Sequence, residues 1–247
     1  MSTLMLCIIV PCRNEEGNIP QLFYDLERVK NADEIIFVEG SSRDKTFEEI
    51  ELYLEDKKNP KMRLLKQVGI GKFSAVQTAF RSSEADYFAI WDGDNTIPFI
   101  DQKFMIDTFL ENSHSKVFVT ANRLTMHRES NAFRFINLLG NFVFSLLVLL
   151  VFQLRIPDVL SGTKIFHREL LEDIYSCKYA MGADPFGDLY LLSRASKAGY
   201  KIISIPCKYK ERAFGVSNIG RWSGGLAMLK LMLHFALHSC WRKRLIS

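Results

Sequence analysis

Four short apolar runs in the first hundred residues, "LMLCIIVP", "EIIFVEG", "MRLLKQV" and "YFAIWDGD", do most to constrain the fold. Each is rich in β-branched and aliphatic residues. The stretches between them, such as "NIPQLFYDLERVKN" and "RDKTFEEIELYLEDKKNP", carry their apolar residues at helical spacing. Strand alternating with helix predicts a mostly parallel sheet covered by helices on both faces. In such sheets ligands collect at the carboxyl edge, where strands run out into turns. The turns "PCRNEEGNIP", "VEGSSRDKT", "GIGKFS" and "AIWDGDNTIP" are therefore the first places to look for chemistry. No internal repeat or low-complexity linker interrupts the pattern. With 48% hydrophobic residues in 247, the chain is able to bury one large core.

Charge is unevenly placed. Residues 1–120 hold 14 Lys/Arg against 20 Asp/Glu, and the remainder 18 against 8. The second half is thus set to face something anionic, and nucleic acid, anionic lipid and a phosphorylated substrate all fit that asymmetry. The five cysteines, Cys7, Cys12, Cys177, Cys207 and Cys240, are scattered, without CxxC and without His at ligand spacing. That pattern predicts neither a disulfide framework nor a zinc site, and it fits a reduced compartment. The opening "MSTLMLCIIVPCRNEE" lacks a basic start and a small-residue cleavage site, so it reads as a first strand and not as a signal peptide.

After Val119 the texture changes. The run Phe142 to Phe152 is apolar except for Ser145. A bilayer span takes about 20 such residues, so this segment is expected either as a buried helix or as one lying in a membrane interface, without a full transmembrane span. In "GGLAMLKLMLHFALHSCWRKRL", Lys230, His234, His238 and Arg242 recur every four residues and form a polar stripe on an apolar helix. Packing on the domain is one reading of this helix. Trp241 and the basic tail favour the other, a helix lying on an anionic leaflet. His127 and His167 lack a second ligand at metal spacing and read as structural or surface residues.

Asp92 and Asp94 are separated by one glycine, which lets both carboxylates converge on one hard cation. A solvated acidic turn is the plain alternative. There is no GxGxxG, and "GIGKFS" lacks the Walker spacing, so a dinucleotide oxidoreductase and a Walker-type kinase are both disfavoured. Lys72, at a helix start, and the Gly-Ser turn after the second strand are weak signals singly. Their order along the chain is informative.

The series "IIVPCRNEEGNI", "EIIFVEGSSRDKT", "GIGKFSAV" and "IWDGDNTIP" resembles the nucleotide-sugar half of the family 2 glycosyltransferases. "NRLTMHRESNAFRFINLLGN", "RIPDVLSGTKIFHREL" and "DPFGDLYLLSRASKAGYKIISIPCKYKERAFGVSNIGRW" resemble the acceptor half of the branch that includes dolichol-phosphate mannose synthase and bacterial polyprenyl-phosphate glycosyltransferases. The resemblance runs from about Cys7 to Leu233 and implies an α/β, A-type glycosyltransferase fold. Its Rossmann-like, mostly parallel sheet would be flanked by helices, with amphipathic helices at a membrane interface. It divides the chain into a catalytic domain at 1–222 and a C-terminal amphipathic basic helix at 223–247. Within the catalytic domain, 1–120 would bind the nucleotide sugar, and 121–222 the acceptor, with an interfacial helix at 133–154.

Carried over residue by residue, the resemblance implies that Pro11, Asn14, Glu15, Glu39, Lys72 and Asp92 line the nucleotide pocket. Asp92 and Asp94 would hold Mg²⁺ or Mn²⁺, and Arg123, Arg134, Ser161, Lys164, Arg212, Ser217 and Asn218 would surround the acceptor phosphate. Arginine forks suit phosphate geometry, although each of these arginines alone reads as a surface residue. Asp188 is the candidate base should the acceptor be a hydroxyl. Three positions depart from the common pattern. Glu39 is the only acid in "VEGSS", Phe73 replaces a frequent glycine, and Thr96 stands where a metal-supporting glutamine is common.

The expectation is a metal-dependent, inverting glycosyltransferase that moves a sugar from a nucleotide diphosphate sugar to a polyprenyl phosphate. It would be peripheral on the cytoplasmic side of a membrane, with no nucleic-acid partner and an oligomeric state left open. Two alternatives stand beside it. One is transfer to a saccharide hydroxyl in cell-surface glycan assembly; the other is a nucleotidyltransferase or an inactive membrane adaptor that reuses the fold.

Overall fold

Strand β1 (Leu6–Cys12) is apolar on both faces and so belongs in the middle of a sheet. Leu6, Ile8 and Val10 point into one core cluster, Cys7 and Ile9 into the other, and none is more than 1% exposed. The same alternation places Ile35 and Phe37 opposite Ile36 and Val38 in β2 (Glu34–Glu39), and Ala89 opposite Phe88 and Ile90 in β4 (Tyr87–Ile90). The computed structural model describes residues 4–125, 135–172, 186–215 and 221–237.

The seven-stranded sheet has the order β3-β2-β1-β4-β6-β5-β7, completed by β3 (Met62–Lys66), β5 (Val117–Asn122), β6 (Lys164–His167) and β7 (Lys201–Pro206). Strand β6 runs antiparallel to both neighbours, β4 and β5, and every other adjacent pair is parallel. Chain order reverses between β1 and β4, so their carboxyl ends open a crevice there, the usual ligand position in such sheets.

One face carries α1 (Ile19–Leu26) and α4 (Phe99–Asn112); Ile19, Leu22, Phe23 and Leu26 repeat at helical spacing and are buried. The other face carries α3 (Lys72–Ser82), α5 (Phe135–Phe152), α7 (Asp188–Lys197) and α8 (Arg221–Leu237). Helix α2 (Thr46–Lys57) covers the β2–β3 edge, and the short α6 (Glu169–Glu172) follows β6. Helix α5 buries Phe144, Val148 and Phe152, each worth roughly 1.5–3 kcal/mol of apolar burial. It meets α8 edge-to-face through Phe152 and Phe235, with ring centroids 5.4 Å apart.

These two helices are also apolar on the outside. Leu139, Phe142, Val143, Leu146, Leu149 and Leu150 of α5, and Leu226, Leu229, Leu233 and Leu237 of α8, are all exposed. Lys230 is exposed and His234 half-buried on α8; His238, Trp241 and Arg242, which complete the polar stripe and basic tail, lie outside the described residues. Among the described residues, no helix is long and apolar enough to cross a membrane.

Candidate active site

The turn after β1 and the turn after β4 meet because β1 and β4 are neighbours in register, Ile9 beside Ile90. Gly93 makes the meeting close. A Cβ there would lie 2.7 Å from the Pro11 carbonyl oxygen, so a side chain would force the acidic turn off the end of β1. Asp92, Asp94 and Glu15 thereby crowd one corner of the crevice, and each is answered by a cation.

Lys72, the first residue of α3, pairs with Asp92. Arg212, from the segment after β7, reaches Asp94 Oδ2 at 2.6 Å and Glu15 Oε1 at 3.4 Å. Thr96 braces Asp94 from the other side, donating to Oδ1 from its hydroxyl at 2.9 Å and its amide at 3.2 Å. The position marked in the sequence as a departure therefore orients the second aspartate. Thr163 Oγ1 lies 3.4 Å from Asp92 Oδ2. Gly162 sits against the Lys72–Asp92 pair so closely that a Cβ would overlap Lys72 Nζ and stand 2.7 Å from Asp92 Oδ2.

Partial burial alone would raise the Asp92 carboxyl. Lys72, then Arg123 and Lys164, outweigh that and hold it below the usual carboxylate range. Glu15 goes the other way, pushed up to about 7 by burial, with Arg212 pulling against it and Asp94 reinforcing it. Glu15 is fixed by Asn18, whose Nδ2 donates at 2.6 Å, and its amide donates to Thr46 Oγ1 at 2.8 Å.

The adjoining turns are tied to each other. Asn14, at φ 55°, accepts the Arg43 amide on Oδ1 at 2.8 Å and donates its own amide to Ser42 Oγ at 3.0 Å. An asparagine tolerates that left-handed conformation; Ser41, at φ 57°, adopts it at some cost. Glu39 is buried and accepts the Ser42 amide at 2.5 Å, so one oxygen of this carboxylate shapes its own turn.

After β5, the fork of Arg123 closes on Asp158, Nε to Oδ2 at 2.7 Å and Nη2 to Oδ1 at 2.9 Å. Arg123 is held strongly protonated, because that carboxylate outweighs its burial. Lys164 is buried, donates to the Ser161 carbonyl and to Asp188 Oδ1 at 2.6 Å, and so engages the candidate base. Among the described residues, Ser161 Oγ is buried without a hydrogen-bond partner. Arg134, Ser217 and Asn218 lie outside the described residues. His167 is packed edge-on against Tyr87, Phe109 and Tyr200.

The structure thus gathers Glu15, Lys72, Asp92, Asp94 and Arg212 at one point, with Arg123 and Lys164 in electrostatic reach. Sequence reasoning missed Asp158, Asn141, Gly162 and Thr163. Asp158, Gly162 and Thr163 sit in "RIPDVLSGTK", which was singled out, but their partners are distant in sequence and nothing local names them.

The carboxylates of Asp94 and Asp92 are the hard oxygens a divalent cation takes, and Asp94 already attracts a positive group. Among the described residues no three His, Cys, Asp or Glu side chains converge as a metal set. Further ligands would have to come from bound phosphate and water, which is how Mg²⁺ is commonly held.

Comparison with known proteins identifies the family and the fold. Residues 7–175 match the model of glycosyl transferase family 2. A "dolichyl-phosphate hexose transferase" of Haloferax volcanii is 27% identical over 234 residues, 94% of each chain. Two structures of glucosyl-3-phosphoglycerate synthase from Mycobacterium tuberculosis align with TM-score 0.64. One is in complex with Mn²⁺, uridine diphosphate and glucosyl-3-phosphoglycerate, the other with Mn²⁺, UDP-glucose and phosphoglyceric acid. They are 15% and 14% identical and cover 94% and 95% of this chain and 79% and 80% of theirs, a likeness that shows the shared fold. With the family model spanning well over half its length, the chain belongs to glycosyl transferase family 2 and is a glycosyltransferase.

Proposed function

We propose that the enzyme transfers a hexose from a nucleotide diphosphate sugar to a polyprenyl phosphate at the cytoplasmic surface of a membrane, with inversion at the anomeric carbon. The observation that carries this reading is the placement of basic groups. Lys72 and Arg212 pair with Asp92 and Asp94, Arg123 and Lys164 act on Asp92 electrostatically, and Asp158, the partner of Arg123, is hydrogen-bonded to Asn141 of α5, one of the two helices with apolar outer faces. The name of the Haloferax volcanii relative supports the lipid-phosphate acceptor.

In this reading, the turns at Pro11–Glu15 and Glu39–Ser42 hold the nucleoside, and Asp94 with Asp92 holds Mg²⁺ or Mn²⁺. The cation would neutralise charge on the leaving diphosphate. An acceptor phosphate oxygen attacks the anomeric carbon; that C–O bond forms as the bond to the diphosphate breaks, and the nucleoside diphosphate leaves with the electron pair. Arg212 stands between Asp94 and Glu15, where it can follow the charge from the aspartate to an arriving phosphate. A phosphate monoester has a second pKa of about 6 and arrives largely dianionic, so no protein base is needed. The engagement of Asp188 by Lys164 fits that absence better than it fits a base for a sugar hydroxyl.

The test is incubation with a panel of nucleotide sugars and a short-chain polyprenyl phosphate in anionic liposomes, following nucleoside diphosphate release and lipid-linked sugar. Transfer to the lipid phosphate is expected. Transfer only to a saccharide hydroxyl would overturn the reading. The protein should also sediment with the liposomes, and replacing Leu226 and Leu233 by Ser should weaken that binding by about tenfold or more, since each exposed leucine offers roughly 1.5–3 kcal/mol of burial.

A further inference from the structure

Beyond β7 the chain runs back across the carboxyl edge of the sheet. The Cys207 amide donates to the Asn122 carbonyl at 2.9 Å, the Lys208 amide to Asp101 Oδ2 at 2.8 Å, and the Lys210 amide to the Thr96 carbonyl at 2.9 Å. Arg212 then reaches Asp94 and Glu15, and the ring of Phe214 lies on Gly17, where a Cβ would stand 2.5 Å from two ring carbons. Gly215, at φ 76°, brings the backbone so near Asn14 that a Cβ there would lie 3.2 Å from its carbonyl oxygen. Residues 208–215 therefore form a strap that runs from the start of α4, past the turn after β4, to the turn after β1.

Both oxygens of Asp94 are engaged. Thr96, two residues along the same turn, donates to Oδ1, and Arg212 holds Oδ2 from the strap. The same guanidinium faces Glu15 Oε1, so carboxylates from two different turns share one positive charge that the chain itself supplies. A second cation on Asp94 would stand next to the first, and like charges so close repel strongly where water is partly excluded. Arg212 is the contact able to yield. It keeps 28% of its side-chain surface in solvent, whereas the Thr96 bonds are fixed by the turn itself. Once Arg212 leaves, Phe214 holds the end of the strap, and at 54% exposure that ring buries too little apolar surface to do so alone.

We propose that Arg212 is the built-in counter-cation of Asp94 and the charged catch of the strap, so that a divalent cation on Asp94 and the closed end of the strap exclude one another. Arg212 releases Asp94 before an external cation is bound there, and the end of the strap then lifts from Glu15 and Gly17. The inference rests on the reading that Asp94 holds Mg²⁺ or Mn²⁺, and adds that entry is governed by the chain's own guanidinium.

The experiment is Mn²⁺ binding to the full chain without substrate, followed by loss of the free-ion electron paramagnetic resonance signal, in wild type, Arg212→Gln, Phe214→Ala, Lys210→Gln and the Arg212→Gln/Asp94→Asn double variant. Arg212→Gln should tighten binding about tenfold or more, since apparent affinity rises with the fraction of molecules competent to bind. Phe214→Ala changes no charge and should still tighten it about threefold, because the end of the strap is less firmly seated. Lys210→Gln removes an exposed charge from the same strap and should change affinity by less than about twofold. In wild type, Mg²⁺ should speed hydrogen exchange of the amides at 211–215 by about fivefold or more and leave those of β7 unchanged.

Mn²⁺ affinity in Arg212→Gln equal to that of wild type, or strap exchange that Mg²⁺ leaves unchanged or slows, would overturn the inference while leaving the metal reading intact. An equal gain in Lys210→Gln would overturn it by reducing the effect to general charge, and a gain confined to Arg212→Gln would overturn the coupling to the strap. Adding Asp94→Asn to Arg212→Gln should abolish the gain. A double variant that binds Mn²⁺ as tightly as Arg212→Gln would sink the metal reading and, with it, this inference.

Discussion

The ion pairs at the rim of the crevice differ from those beneath it. Lys72–Asp92 and Arg212–Asp94 keep 12–28% of their side-chain surface in contact with solvent, whereas Lys164–Asp188 and Arg123–Asp158 keep 0–12%. A partly hydrated charge exchanges one counter-ion for another at modest cost, because water covers the transition. A buried charge stripped of its partner faces a desolvation penalty of several kcal/mol. The rim pairs are thus suited to being opened by a ligand, and the buried pairs to staying shut. The same contrast runs through the halves of the chain. The acidic first half brings Glu15, Asp92 and Asp94 to the crevice and the second half sends Arg212 to Glu15 and Asp94, whereas Arg123 and Lys164 are closed on carboxylates of their own half, Asp158 and Asp188.

The contrast is broken most severely at Asp94. If it binds the cation, Asp94→Asn should lower transfer by at least ~10²- to 10³-fold, the usual effect of removing one electrostatic stabiliser, with little loss of stability because the pair is at the rim. Full activity of this variant in the presence of chelator would refute the role. Gly162→Ala comes next. A Cβ there overlaps Lys72 Nζ, so the rim pair must open or the loop must shift; kcat should fall by about tenfold or more, and thermal unfolding should show whether the backbone moved.

The buried side is probed by Lys164→Met, which strands Asp188 and should cost about 3–5 kcal/mol, whereas Lys164→Met with Asp188→Leu should recover most of that loss. Equal unfolding midpoints for wild type and the single variant would show that this pair is as replaceable as the rim pairs. The smallest effect is on pH. Burial opposes the Asp158 charge, but Arg123 outweighs it and holds the carboxyl below its ordinary 3.8. The stabilisation is therefore fully present above the unfolded value and lost as pH falls through the folded one. The gap in denaturation midpoint between wild type and Asp158→Asn should be constant from about pH 8 to 5 and narrow below about pH 4. A gap that widens with acid would mean that Asp158 is not the charged partner.

Much of the first half was legible in the sequence because its information is local. The runs around Ile8, Ile36 and Phe88 are continuous and apolar, as strands buried on both faces must be, and became inner strands, while the more polar run around Leu64 became the half-buried edge strand β3. Asp92 and Asp94 could be placed at the carboxyl edge because they directly follow such a run, although a solvated acidic turn was an equal reading of the pair taken alone. In the second half, the resemblance implied Arg123 and Lys164 as acceptor-phosphate contacts and Asp188 as a candidate base, but their partners were hidden. Asp158 is 35 positions from Arg123 and Lys164 is 24 from Asp188, and no periodicity connects residues at such separations.

By itself, the sequence determined the alternation of strand and helix, the carboxyl-edge position of Asp92 and Asp94, and the opposite charge of the two halves, since each follows from the order of side chains along a few turns of chain. The tertiary structure alone decided that β6 runs against its neighbours, that Arg212 reaches across 118 positions to Asp94, and that Asp158 holds Arg123. Those outcomes depend on which distant groups remain unpaired once the sheet has closed. A buried charge settles on the partner that packing brings within 3 Å, and that choice is made only when the whole core has formed.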